Sequence, residues 1–206
     1  MIPTLRALIV TPAAILAAAA AAAAQPVTWQ IDPVHSTATF AVRHMMVTTV
    51  RGTFQKLAGT VQFDGKDVKT IVAQATINVA SIDTREPKRD EHLRSADFFD
   101  AATFPTITFA SKRVEPKGAG RFALVGDLTI KGVTREVTLD VEGPTPEIKD
   151  PGGNIRIGAS ATTRINRQDF GVSWNRALDA GGVVVGDEVA ITLDLSLIRK
   201  GPGGTK

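Results

Sequence analysis

The chain has 206 residues, a formal net charge of +3 and no cysteine. That length fits one domain with a hydrophobic core large enough to fold without disulfide staples. Its 24 basic residues are spread among 21 acidic ones, which excludes the basic stripe of a nucleic-acid binder.

Arg6 is the only charge in residues 1–24, and an alanine-rich apolar stretch, Ala7 to Ala24, follows it. A short positive region, an apolar stretch and small residues at Ala22-Ala23-Ala24 read as a secretory leader cleaved before Gln25. The competing reading is a membrane anchor. Polyalanine is only weakly apolar, and the stretch runs straight into the cleavage site, so no lasting span is expected. No arginine pair marks the twin-arginine route, and no cysteine is present for lipidation. An exported chain without disulfides suits a bacterial periplasm. The expected organisation is a leader over 1–24, one domain over 25–200 and a disordered tail over 201–206.

From there nearly every segment alternates with period two, the mark of a half-buried strand. After a short strand near Val27–Ile31, Ala38, Phe40 and Val42 alternate with Thr37, Thr39 and Arg43. Val61 and Phe63 follow, then Ala73 to Val79. Next, TREPKRDEHLRS (84–95) breaks the pattern. It is polar and charged, with Pro87 where a first helical turn tolerates it, so a short helix is expected, then a loop through Phe98 and Phe99. Alternation resumes at Ile107 and Phe109, then Phe122 to Ile130, Val137 to Val141, Ile155 to Ala161 and Val189 to Leu197. Asp64-Gly65, Lys117-Gly118, Lys131-Gly132 and Pro151-Gly152-Gly153 carry turn chemistry between runs. The fold class is therefore all-β, with eight long antiparallel strands in a sandwich or a closed barrel.

There is no tyrosine, and there are only two tryptophans, which argues against the aromatic girdles of a membrane barrel. The apolar face is therefore expected inside. About eight strands enclose a space that side chains fill or that holds one small ligand.

Ordered blocks now point to a family. They begin with Trp29-Gln30-Ile31-Asp32-Pro33-Val34-His35-Ser36, Phe40-Ala41-Val42-Arg43-His44 and Val50-Arg51-Gly52-Thr53-Phe54. Ser81-Ile82-Asp83-Thr84, His92-Leu93-Arg94-Ser95-Ala96-Asp97-Phe98-Phe99-Asp100 and Phe104-Pro105-Thr106-Ile107-Thr108-Phe109 follow. Gly126 to Thr134, Ile165 to Trp174 and Val185-Gly186-Asp187-Glu188-Val189 complete the set. In this order the chain resembles the YceI-like, polyisoprenoid-binding family of periplasmic proteins. The resemblance implies an extended eight-stranded antiparallel lipocalin-like barrel with one short helix, and an apolar tunnel for an isoprenoid or another long amphipathic lipid. It also implies a homodimer.

The wall of that tunnel is expected from Phe40, Val42, Phe54, Phe63, Ile77, Phe98, Phe99, Ile107, Phe109, Leu124, Leu128, Phe170 and Trp174. Each strand residue among them serves equally as plain core, and Phe98 and Phe99 serve equally to staple the helix. His35, His44 and His92 are read as head-group contacts, or as residues that cap turns. Three histidines suit zinc, yet their spacing is irregular, so no metal and no cofactor is expected. Arg94 and Arg167 offer forks to a phosphate or carboxylate, or lock loops through Asp97, Asp100 or Asp169. No G-x-S-x-G elbow, cysteine nucleophile or phosphate loop supports an enzyme, and adjacent His35 and Ser36 point to opposite faces of a strand. A structural or stress-protective protein with a solid core, and a hydrolase using a histidine site, stand as the alternatives. An open apolar tunnel favours lipid binding, and a packed interior favours the structural role.

Overall fold

The computed structural model describes residues 27–179 and 181–199. The expected leader (1–24) and tail (201–206) lie outside them. In chain order the strands are β1 (Val27–Ile31), β2 (Thr37–His44), β3 (Thr48–Phe54), β4 (Leu57–Phe63), β5 (Val72–Asn78) and β6 (Ile82–Asp83). Helix α1 (Pro87–Arg94) comes next. Then follow β7 (Thr106–Gly118), β8 (Arg121–Ile130), β9 (Val133–Glu142), β10 (Ile148–Lys149), β11 (Ile155–Asn166) and β12 (Val185–Arg199).

Register shows why these pieces make eight long strands. β1 and β2 lie end to end along one edge of β12, with Gln30 opposite Ile198 and Phe40 opposite Ile191. β3 and β4 continue each other against β2 and β1, and β5 and β6 do the same against β4 and β3. From there β7, β8, β9 and β11 each pair antiparallel with the strand before, and β11 pairs with β12 along its whole length. The result is a closed up-and-down barrel of eight antiparallel strands with one helix. No helix of the described residues is long and apolar enough to cross a membrane.

Three strands were not expected: β3, the two-residue β6 and β10. β3 escapes the period-two reading because its inward position 52 is a glycine, which leaves only Val50 and Phe54 to carry the apolar signal. β10 has two residues, both exposed.

The polar helix forms for local reasons. Pro87 opens it, and the Glu86 side chain accepts from Lys88 N. Asp90, itself buried, accepts from the backbone N of Thr84 at 2.9 Å and from its hydroxyl. Arg89 donates to the Thr84 hydroxyl and carbonyl at 2.8 and 2.9 Å. This knot ties α1 to β6 without an apolar stripe. At the opposite end of the barrel, Trp29 is fully buried with the Arg199 guanidinium 5.0 Å from its ring centre, and Arg199 pairs with Glu147.

One face departs from simple alternation. Ala123 and Val125 point outward on β8 but are buried. Lys112 bridges Asp127 and Glu136, Arg113 bridges Glu115 and Glu136, and Lys117 pairs with Asp140 across β7, β8 and β9. The stems of these long side chains cover the two small apolar residues while their heads stay in water.

Candidate functional site

The inward residues form two clusters. One, at the Trp29 end, includes Phe63, Phe122, Leu139 and Leu197. The other, at the α1 end, includes Phe98, Ile107, Ile130 and Phe170. Ile77, Phe109 and Val137 pack against both and form a waist between them.

The interior is not solid. A cavity of about 240 Å³ runs through it, bordered from Pro144 and Leu197 at one end to Leu93, Phe98 and Phe99 at the other. Large apolar residues on β12 that face this space, Val189, Ile191, Leu193 and Leu195, are only half-buried, as are Phe40 and Phe109. A packed core would bury such inward side chains completely.

Two glycines keep the space open. A Cβ on Gly52 would overlap the Phe40 ring, and one on Gly126 would stand 2.5 Å from both the Phe109 ring and the Ala110 carbonyl. Each phenyl ring therefore has its outer edge seated against a glycine of the neighbouring strand. The signal for this was a glycine inside an alternating strand, which marks close approach.

Twelve of the expected wall residues border the cavity: Phe40, Val42, Phe54, Phe63, Ile77, Phe98, Phe99, Ile107, Phe109, Leu124, Leu128 and Phe170. Trp174 is outside it. Its ring packs 5.0 Å from His92 and 5.2 Å from Phe98, clamping the helix and its following loop from without. The β12 face supplies more of the wall than sequence reasoning assigned to it.

The expected head-group contacts are not gathered. His35 lies at the far end, where its Nδ1 donates to Asp32 at 2.7 Å. His44 ends β2 opposite Val185. His92 is on α1, donates from Nε2 to Asp97 at 2.8 Å and stacks edge-on against Phe98 at 5.0 Å. None of the three borders the cavity, and no three ligating side chains come together for a metal among the described residues. Arg94, half-buried at the end of α1, also lies off the cavity. It makes no ion pair with Asp97 or Asp100.

Arg167 does border the cavity, but its donors are spent. It donates to the carbonyls of Gly186, Val172, Trp174 and Val185 and pairs with Asp187 at 3.2 Å, not with Asp169. Burial pulls its pKa below the usual arginine value. The Asn166 side chain and Gly171, with φ at 71°, cap the 3₁₀ turn Arg167–Phe170 that aims it inward. The residue fastens the strand ends around the cavity and has no free fork to present inside it.

Sequence and structure relatives agree with this architecture. Residues 29–197 match the YceI-like domain, and the chain belongs to that family. The UPF0312 protein SAS2572 of Staphylococcus aureus is 40% identical over 158 residues, covering 77% of this chain and 90% of that protein. Among solved structures, Burkholderia cenocepacia BcnA superposes with a TM-score of 0.69 at 29% identity, over 81% of this chain and 98% of its own. The Campylobacter jejuni YCEI protein gives 0.64 at 28% identity, over 77% and 90%. A polyisoprenoid-binding domain from Saccharophagus degradans shares the fold at 17% identity, with a TM-score of 0.58 over 84% and 98%.

Proposed function

We propose that this chain is an exported binding protein, not an enzyme, that carries a long-chain amphipathic lipid, a polyisoprenoid foremost, with its tail inside the barrel. The observation behind this reading is the through-running apolar cavity with half-exposed inward walls. Burial of one CH₂ is worth about 0.8 kcal/mol, while association costs on the order of 4–15 kcal/mol. A short tail therefore barely offsets association, and only a long chain is retained. The lining offers no unspent charge, because Arg167 is committed to backbone carbonyls, so the tail and not the head supplies the grip. The fold shared with the Saccharophagus degradans polyisoprenoid-binding domain is consistent with that ligand class. The alanine-rich start of the chain supports export and a periplasmic setting.

The test is purification of the exported protein under mild conditions, native mass spectrometry of the carried lipid, and sequencing of the N-terminus. A bound lipid and a chain starting at Gln25 are expected. Two positions on β7 sharpen the test. Phe109→Asn places an amide in the waist and abolishes uptake, while Thr106→Asn, exposed and off the cavity, leaves uptake normal, both folded by circular dichroism. Equal uptake by both variants makes the interior a core and sinks the carrier reading.

A further inference from the structure

The β2–β3 hairpin carries an unusual tip. Met45, Met46 and Val47 are consecutive and exposed, Val47 at 81%. Val47 N closes a turn onto the His44 carbonyl at 3.0 Å, and the two central residues have φ of 50° and 57°. That turn geometry favours asparagine and glycine, yet two methionines occupy it. Backbone strain held at an exposed apolar tip is the kind a functional surface retains.

The tip is also pinned. Met45 N donates to the Val184 carbonyl at 2.8 Å, and Arg43 donates to the Met46 carbonyl at 2.6 Å and to Thr49 at 3.1 Å. Arg43 and Arg51 share the outer face of the hairpin, since Thr49 lies opposite Arg43 and Ala41 opposite Arg51. Arg176 adjoins through Val184, whose N donates to the Arg176 carbonyl at 2.9 Å. None of these three arginines has a carboxylate partner among the described ion pairs. Nearby Asp187 and Glu188 are taken by Arg167 and Arg164, which leaves Asp179 as the acidic group on the adjoining loop. Just behind the tip, Val42 and Val185 already border the cavity.

We infer that this tip docks on the surface of a bilayer containing anionic lipid. The three apolar side chains enter the boundary between head groups and tails, and the arginines meet the negative surface. Three side chains are too few for a permanent anchor, so the contact is reversible. The inference rests on the tip itself and not on what occupies the barrel.

The test is co-sedimentation with phosphatidylcholine vesicles, with and without phosphatidylglycerol, at low and high salt. The expected result is binding only to the phosphatidylglycerol vesicles, weakened by salt. Val47→Asp should abolish it, and Arg51→Gln or Arg176→Gln should each weaken it about fivefold. The double change Met45→Asn with Met46→Gly relieves the turn strain. It should raise the melting temperature while abolishing vesicle binding, a pairing that a purely structural turn does not give. Uptake of a polyisoprenoid presented in cyclodextrin should be unchanged in Val47→Asp. If no form takes up lipid but vesicle binding still depends on Val47, the docking inference stands and the carrier reading falls. Absence of wild-type binding at low salt, binding unchanged by these substitutions, or a concentration-dependent dimer abolished by Val47→Asp overturns the inference, the last in favour of a second copy on this tip.

Discussion

At the scale of single residues, the lumen depends on what is missing at Gly126. Adding one methyl there brings Cβ to 2.5 Å from a backbone carbonyl and from the Phe109 ring, so a strand or a ring must move. Gly126→Ala is expected to destabilise the fold by about 1–3 kcal/mol, the usual range for overpacking, and to push Phe109 into the waist. Urea unfolding should show the loss, and uptake should fall more for long lipids than for short ones that stop before the waist. Equal loss at all lengths would place the damage elsewhere. Inward apolar residues such as Phe40 and Leu128 were legible from sequence because strand alternation assigns faces directly. The seats of the rings were not, since Gly126 meets Phe109 across a strand pair and the ring's tilt is not a sequence property. Arg167 was legible as a fork for an anionic head group or as a loop lock through Asp169, but its real partners are carbonyls on the 172–174 segment and on β12, brought near only by closure of the barrel.

Among elements, the far end is held by a charge knot that joins β11 to three other segments. Arg156, at the start of β11, donates to Asp32 in the β1–β2 corner at 2.6 Å, to Asp150 in the β10–β11 turn at 2.7 Å, and to Ser196 of β12 at 3.0 Å. The guanidinium beside Asp32, with His35 behind it, holds that carboxyl far below the usual carboxylate range, and the same guanidinium with Asn154 lowers Asp150 to about 2. Both folded values lie below the unfolded ones, so the knot stabilises the fold fully above about pH 4 and loses that contribution as pH falls toward 2. Arg156→Met should lower the unfolding midpoint at neutral pH and flatten its change between pH 4 and 2 relative to wild type. Parallel curves for the two proteins would show that the knot contributes nothing. In the sequence, the elements themselves were readable: the β1 boundaries and the helix opening at Pro87 follow from alternation and from proline's place in a first turn. β3 was hidden by Gly52. The knot was hidden because Asp32 and Arg156 lie 124 positions apart and meet only through the β11–β12 ladder.

For the whole molecule, the question is what length of chain the barrel is built to hold. On β12 the lining runs from Val185 to Leu197. At ~3.3 Å per residue that is ~40 Å along the strand, and a strand tilt of ~40° leaves ~30 Å along the barrel axis. This matches the full hydrocarbon thickness of a bilayer, ~30 Å, so a tail that spans one leaflet fills only about half of it. A longer chain uses both clusters and must pass the waist at Ile77, Phe109 and Val137. The open volume of about 240 Å³ is narrow for that length, so entry requires the half-exposed rings of Phe40 and Phe109 to turn against the wall. The expected outcome is an affinity that rises by about 0.8 kcal/mol per added CH₂, continues past the length of a membrane acyl chain, and levels off once the chain reaches ~30 Å. Ligand bound to the folded state alone raises stability by RT ln(1 + [L]/Kd), so melting temperatures at fixed ligand concentration read the same series. A rise that stops at acyl length would confine the site to one cluster and make an ordinary acyl lipid the cargo. A flat series would mean that the tail is not what the barrel holds.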